Sequence, residues 1–403
     1  MLSFAKKENE EVALMIDIGN GSVSGAFVLI RKELQPVFLY ALTVPFPLSL
    51  SLDSQKLTED METVLDSLLV YIQKGFEHEY WKDKNKKIGH VLVSFSSPWF
   101  ILRTKHIHVE QDNPFLITKS FIDDITQKEE ALLENEMNKG VEVKEKDSFE
   151  VIEKSIVHTK INGYELNQSI GTKTKSFDAF LCMSVVSKKV LKNVTDIIAK
   201  HVHLGTDKIF LHTFPLISFS VVRDILSPGP DFVLLDVTSE VTELTLVSGE
   251  VIVETVTMPS GRNFIIRKIA EAFGVSSEIA ESNLHLYTLQ KMDTPSETKM
   301  REVLENVEKE WAIYFENALL EIKNLGDLPR KMYITTDNDV SEIYKNFLSV
   351  QKMDGTAEFR KNLQAFFLSD SSFFEYFSNE SGRELDTFII LLTIFYNRIR
   401  QNS

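Results

Sequence analysis

One pattern occurs twice in this chain, about two hundred residues apart, and it limits the folds available more than any other feature. The apolar run Leu14-Met15-Ile16-Asp17-Ile18 leads into Gly19-Asn20-Gly21-Ser22 and resumes as Val23 to Ile30. Such a stretch predicts a hairpin whose glycines allow a tight turn with backbone N–H groups exposed beside one carboxylate, a shape that can cradle a phosphate. The second copy runs from Phe232 through Asp236 to Val237-Thr238-Ser239-Glu240 and resumes as Val241 to Val247. A turn at Ser248-Gly249-Glu250 then leads to a third strand, Val251 to Val256. Two strand–Asp–turn–strand units predict a duplicated domain with a cleft between its halves.

Composition narrows the function. A net charge of -15 over 403 residues argues against general nucleic-acid binding, because a protein that neutralises phosphates carries a basic field. Cys182 is alone, which excludes an intrachain disulfide and a cysteine-based zinc site and suits a reducing compartment. The first residues, Met1 to Glu11, lack the apolar core of a signal peptide, and no stretch reaches the roughly eighteen apolar residues of a membrane span. The expectation is a cytoplasmic protein.

Along the chain, Pro36 to Val44 predicts a third strand, and Thr58 an N-cap for a helix that ends near Gly75. A lysine-rich loop, Lys82 to Lys87, follows. Strands are expected at Val91 to Phe95, Phe100 to Val109, Ser155 to Ile161 and Tyr164 to Leu166, with a helix from Ile117 to Met137. Asn162-Gly163 is a two-residue hairpin signal. Ser176 to Val186 returns to strand, Ser187 to Val202 to helix, and Ile209 to Leu211 to strand. Thr213-Phe214-Pro215-Leu216 opens an apolar helix, and Pro228-Gly229-Pro230 punctuates the chain. Met258-Pro259-Ser260-Gly261 introduces a run of helices to Leu325, Lys331 to Thr335 is the last clear strand, and Leu385 to Ile399 closes the chain as a helix.

The paired hairpins resemble the phosphate 1 and phosphate 2 elements of the actin, Hsp70 and sugar-kinase ATPase superfamily. Within it the chain is similar, over most of residues 12 to 396, to the cell-division family FtsA and the pilus-assembly family PilM. The resemblance implies an α/β, actin-like ATPase (ribonuclease H-like) duplicated fold with a small inserted 1C, or SHS2-type, subdomain. It divides the chain into domain 1A (12–87 and 173–228), the 1C-like insertion (88–172), domain 2A (229–275 and 327–403) and a reduced, helical 2B-like part (276–326). It implies ATP with Mg²⁺ as ligand, held by Asp17, Gly19, Asn20, Gly21 and Ser22 of the first element and by Asp236, Thr238, Thr242 and Gly261 of the second. Asp17 and Asp236 would hold the metal through water. Partners would be other assembly proteins, recruited through the insertion, with self-association through domain edges and placement at the inner face of the membrane through those partners.

The departures from the family bear on turnover. An acidic residue that helps position the attacking water commonly precedes the family's Pro, and here that position is Phe214, which can neither accept a proton nor orient water by hydrogen bonding. Thr238, Ser239 and Glu240 fill positions that are usually glycine-rich, and Glu240 is expected to add negative charge near the phosphates. A Gly-Gly turn against adenosine is replaced by Thr336-Asp337-Asn338-Asp339. The expectation is an actin-like scaffold of the FtsA type with weak or absent hydrolysis, or else a PilM-like adaptor. The competing class is an active ATPase or small-molecule kinase, for which no substrate constellation is legible. The pairs His106, His108 and His201, His203 predict a polar strand face and a helix end rather than a metal site. Phe388 to Tyr396 is apolar on nearly every side and is expected to be buried in domain 2.

Overall fold

The computed structural model describes residues 10–48, 53–79, 88–139, 148–165, 169–323, 328–348 and 363–402. The loop Lys82 to Lys87 lies outside them, as do residues 166–168 of the segment resembling the insertion. The chain begins with an antiparallel meander, β1 (Glu10–Ile18), β2 (Ser22–Arg31) and β3 (Val37–Pro45). Helix α1 (Ser54–Glu79) then crosses over to β4 (Ile88–Phe95), which pairs with β1 in parallel. From Ala13 to Ile18 every residue of β1 is buried, as a central strand covered on both faces requires.

Helix α1 starts earlier and ends later than its pattern suggests. Asp53 is the N-cap, its Oδ1 accepting from the amides of Gln55 and Lys56 at 2.9 and 3.2 Å, whereas the Thr58 hydroxyl bonds back to the Ser54 carbonyl. Gly75 does not end the helix: a Cβ there would lie 2.1 Å from Tyr40 Oη, so the residue is small to let the ring pack across it.

A separate four-stranded sheet follows, in the order β5-β8-β6-β7. Its elements are β5 (Phe100–Leu116), α2 (Lys119–Lys139), β6 (Phe149–Ile161), β7 (Tyr164–Glu165) and β8 (Lys173–Ser187). These strands span 100–187. The stretch expected to open the insertion, β4, belongs instead to the first sheet, and Ser176 to Val186, assigned from the sequence to domain 1A, lies in the small sheet. Helix α3 (Lys188–Val202), β9 (Ile209–Thr213) and α4 (Phe214–Val221) return the chain to the first sheet, where β9 pairs with β4.

The second lobe repeats the first. A meander of β10 (Phe232–Val237), β11 (Thr242–Ser248) and β12 (Val251–Met258) is followed by α5 (Arg262–Phe273), α6 (Ser277–Thr288) and α7 (Thr294–Lys323). Strand β13 (Lys331–Thr336) pairs in parallel with β10, and after α8 (Ser341–Leu348), β14 (Gln364–Phe367) pairs with β13. Sheet orders β3-β2-β1-β4-β9 and β12-β11-β10-β13-β14 are the same arrangement twice. Among the described residues the segment between β12 and β13 is helical, formed by α5, α6 and α7.

The tail departs from expectation. Beyond β13 the described residues form two further strands, β14 and the short β15 (Ser378–Asn379), which adds to β3. The last helix, α9 (Thr387–Asn402), packs on β1, β2 and α4, and Phe388 to Leu392 and Ile394 to Tyr396 join the core of the first lobe, not that of domain 2. Burial of the run was expected; its lobe was not. Among the described residues three hydrophobic clusters form; the largest is built on the first sheet and also takes in Phe232, Leu234, Val247, Ile252 and Tyr333 of the second.

Candidate functional site

The repeat places two aspartates in equivalent rows. Asp17 stands opposite Ser24 of β2 and Ser94 of β4, and Ser24 opposite Thr43 of β3. Asp236 stands opposite Glu243 of β11 and Thr335 of β13, and Glu243 opposite Thr257 of β12. Because side chains on one row of a sheet share a face, each lobe turns a carboxylate-bearing row toward the cleft. Asp386, at the start of α9, closes the bottom: its carboxylate accepts from Ser24 Oγ at 2.8 Å and from the Phe388 amide at 3.0 Å.

These carboxyls are held away from their ordinary state. Burial, reinforced by Asp386 and Asp337 and opposed by the Ser94 hydroxyl, pushes Asp17 up to about 8. Burial likewise takes Glu243 to about 8, against the hydrogen bonds from Ser97 and Thr257. Asp337 rises to about 7 through burial and the charges of Asp386 and Asp339, with Arg262 opposing. Asp236 is raised well above its usual value by burial, then by Glu243 and Asp17, and burial also raises Asp386.

The two turns meet each other. Asn20, only 1% exposed, donates from Nδ2 to the Ser97 carbonyl at 2.6 Å and to Thr238 Oγ1 at 2.7 Å, and its Oδ1 accepts from the Glu240 amide at 2.7 Å. A Cβ on Gly21 would fall 2.1 Å from Ser239 Cβ, so the glycine lets the opposite lobe approach rather than a ligand. The first turn is braced by Trp99 Nε1, which donates to the Gly19 carbonyl, and by the Gly19 amide, which donates to the Ser22 carbonyl.

On the second side, the N-terminus of α5 has its donors engaged. The amides of Gly261, Arg262 and Asn263 donate to the carbonyls of Glu240, Thr238 and Ser239 at 3.3, 3.0 and 2.7 Å. A Cβ at Gly261 would lie 2.2 Å from the Thr238 carbonyl oxygen, so this glycine serves the packing of turn on helix. Helix N-termini bind anions through such N–H groups, and here backbone carbonyls occupy them. Thr242, fully buried, donates its hydroxyl to the Ser260 carbonyl, and Thr238 donates its own to Val241.

Two expectations change. Glu240 does not add uncompensated charge: its carboxylate accepts from Asn263 Nδ2 and Arg267 Nη2, both at 2.8 Å. Arg262, which the sequence did not single out, bridges Asp339 at 2.9 Å and Glu281 at 2.6 Å. It thereby joins α5, α6 and the segment after β13. Phe214 lies in the core, its ring 4.6 Å from that of Phe388 between α4 and α9.

The arrangement does not fit a magnesium triphosphate. The turns that would embrace it are bonded to one another, and the helix N-terminus is filled. Among the described residues no group of three or more His, Cys, Asp or Glu is placed to hold a metal ion. His106 Nε2 and His108 Nδ1 both lie 2.8 Å from Asp178 Oδ1, and His201 pairs with Asp66 in the last turn of α3.

No protein-family model matches the sequence, and no curated protein does. Among solved structures, a chain of a PilM–PilN type IV pilus biogenesis complex is similar at 14% identity and TM-score 0.59, covering 97% of this chain and 98% of that one. The ethanolamine utilization protein EutJ of Carboxydothermus hydrogenoformans is similar at 9% identity and TM-score 0.46, over 95% of this chain and 87% of that one. A Bacteroides thetaiotaomicron protein with actin-like ATPase fold and unknown function is similar at 10% identity and TM-score 0.40, over 91% and 94%. The first likeness establishes a shared fold and nothing finer. Together with the duplicated sheets, it makes this an actin-like ATPase fold.

Proposed function

We propose that this chain is an actin-fold assembly adaptor of the PilM kind, which recruits protein partners and does not turn over ATP. The observation that carries the second half is Asn20, whose side chain joins the lobes where a triphosphate would lie. Loss of a water-positioning acid at Phe214 supports it. The first half draws on the overall likeness to a chain solved in a pilus biogenesis complex, along the whole length of both. The small sheet of β5 to β8 is the surface offered to partners, and Asp17 and Asp236 are retained as structural carboxyls rather than metal ligands. No helix among the described residues is long and apolar enough to cross a membrane, so attachment there falls to a partner.

The test is fluorescent ATP binding together with phosphate release on purified protein with Mg²⁺. No saturable binding and no release are expected. Steady turnover abolished by Asp17→Ala would overturn the proposal.

A further inference from the structure

The small sheet meets its neighbours through two joints of unequal quality. Toward the first lobe it is well bonded: Glu153 of β6, 8% exposed, accepts from the Thr213 amide and hydroxyl at 3.1 and 3.0 Å and lies 2.5 Å from His212 Nδ1. Toward the second lobe the polar contacts are longer. Arg103 Nη1 of β5 lies 3.9 Å from Glu254 Oε1 of β12, and His158 Nδ1 of β6 lies 3.9 Å from Glu250 Oε2 in the turn between β11 and β12.

His158 stands at the second joint with its hydrogen bonding incomplete. Its side chain is 8% exposed, and its Nε2 is buried with no hydrogen-bond partner among the described residues, Glu165 Oε1 of β7 being 3.6 Å away. The two ring nitrogens therefore face carboxylates from two parts of the molecule. A neutral imidazole carries one N–H, so whichever tautomer forms, a lone pair faces one of the carboxylates; with a proton on each nitrogen the ring can donate to both. The other groups around it do not replace that proton. Arg223, after α4, donates to the Val157 carbonyl at 3.4 Å and is paired with Asp224. The Phe180 ring of β8 lies 5.8 Å away, and His106 of β5, stacked on that ring at 4.6 Å, is held by Asp178. Lys160 shares its face two places along β6.

We propose that His158 is a proton-operated latch between the small sheet and the second lobe. Protonated, it donates to Glu165 and Glu250 together and draws the two bodies closed; neutral, it can hold only one of them, and the joint loosens. Histidine is the side chain whose charge ordinarily changes between about pH 5 and 8. The latch stands whether or not the cleft takes nucleotide. Its consequence, that pH sets how the small sheet is presented to partners, rests on the function proposed above.

The experiment is urea unfolding of wild type, His158→Gln, Glu250→Gln and the double variant at about pH 6 and about pH 8, at fixed ionic strength. The cycle isolates the pair, because the cleft carboxyls titrate alike in all four proteins. A coupling of about fivefold in the folding equilibrium is expected at the lower pH and none at the higher. No coupling at the lower pH, or equal coupling at both, overturns the inference. Movement is read separately from spin labels on Asp112→Cys in the small sheet and Glu305→Cys in α7, both exposed positions, with Cys182 fully buried. The distance distribution should narrow as pH falls, and should stop doing so when Glu250→Gln is added. A distribution unchanged by pH shows a fixed contact rather than a latch and overturns the inference too. Neither readout involves ATP or a partner, so turnover of ATP would count against the proposed function alone.

Discussion

Replacing Asn20 by alanine removes three hydrogen bonds: one within the first lobe, to the Ser97 carbonyl, and two that join the lobes, to Thr238 Oγ1 and from the Glu240 amide. Each such bond contributes ~0.5–1.5 kcal/mol net, and each buried group left without a partner costs ~1–3 kcal/mol. Water admitted to the gap recovers part of this, so a loss of about 3 kcal/mol is expected, equivalent to about a hundredfold in an equilibrium constant. The assay is amide hydrogen exchange at Glu240, whose N–H is buried against Asn20 Oδ1. In Asn20→Ala its protection should fall about a hundredfold, while amides in the middle of β1 change only as far as global stability does. Asn20→Asp keeps the acceptor but faces an oxygen toward the Ser97 carbonyl, so it should lose at least as much. Equal protection of Glu240 in wild type and Asn20→Ala would refute the reasoning, because the contact between turns could not then hold the lobes together.

Other outcomes follow from the same structure. Glu240→Ala breaks a buried pair with Arg267 and should cost about 3 kcal/mol in urea unfolding, with Glu240→Gln recovering part; a change below ~0.5 kcal/mol would contradict the pairing. Gly75→Ala gains about 1 kcal/mol of helix propensity but drives a methyl into the buried Tyr40 ring, so a net loss of about 1–2 kcal/mol is expected; a stabilised variant would show that the ring moves aside. Asp17 and Glu243 rise to about 8 and Asp337 to about 7 from 3.8, 4.5 and 3.8, so the folded chain binds more protons than the unfolded one across that window. Stability should therefore be greatest near the lower end, fall as pH rises toward about 8, and level off above it; Asp337→Asn should flatten the slope, and a Tm that climbs from about pH 5 to about pH 8 would contradict the burial of these groups.

The duplicated core was legible because β1 and β10 are buried runs with Asp17 and Asp236 as their penultimate residues, a signal carried by adjacent residues. What stayed hidden depends on residues far apart in sequence. Nothing local tells that β4 pairs with β1 rather than with β5, since a strand pattern does not name its partner. Asp386 and Arg262 acquire meaning only when α9 and α5 bring them to the cleft. Asn20 and Gly21 were read as facing phosphate because an Asx-Gly turn exposes its backbone either way. Only the position of Ser239 on the opposite lobe decides what that backbone meets. Strands β14 and β15 are short and take their register from β13 and β3, so their own residues carry little periodic signal.

The central claim is that the two lobes are joined turn to turn in the place of a nucleotide. A crystal structure grown with ATP and Mg²⁺ measures this directly. The account predicts Asn20 Nδ2 still about 2.7 Å from Thr238 Oγ1, with no density between the turns. A triphosphate seated between Gly21 and Ser239, with those two residues moved apart, would contradict it.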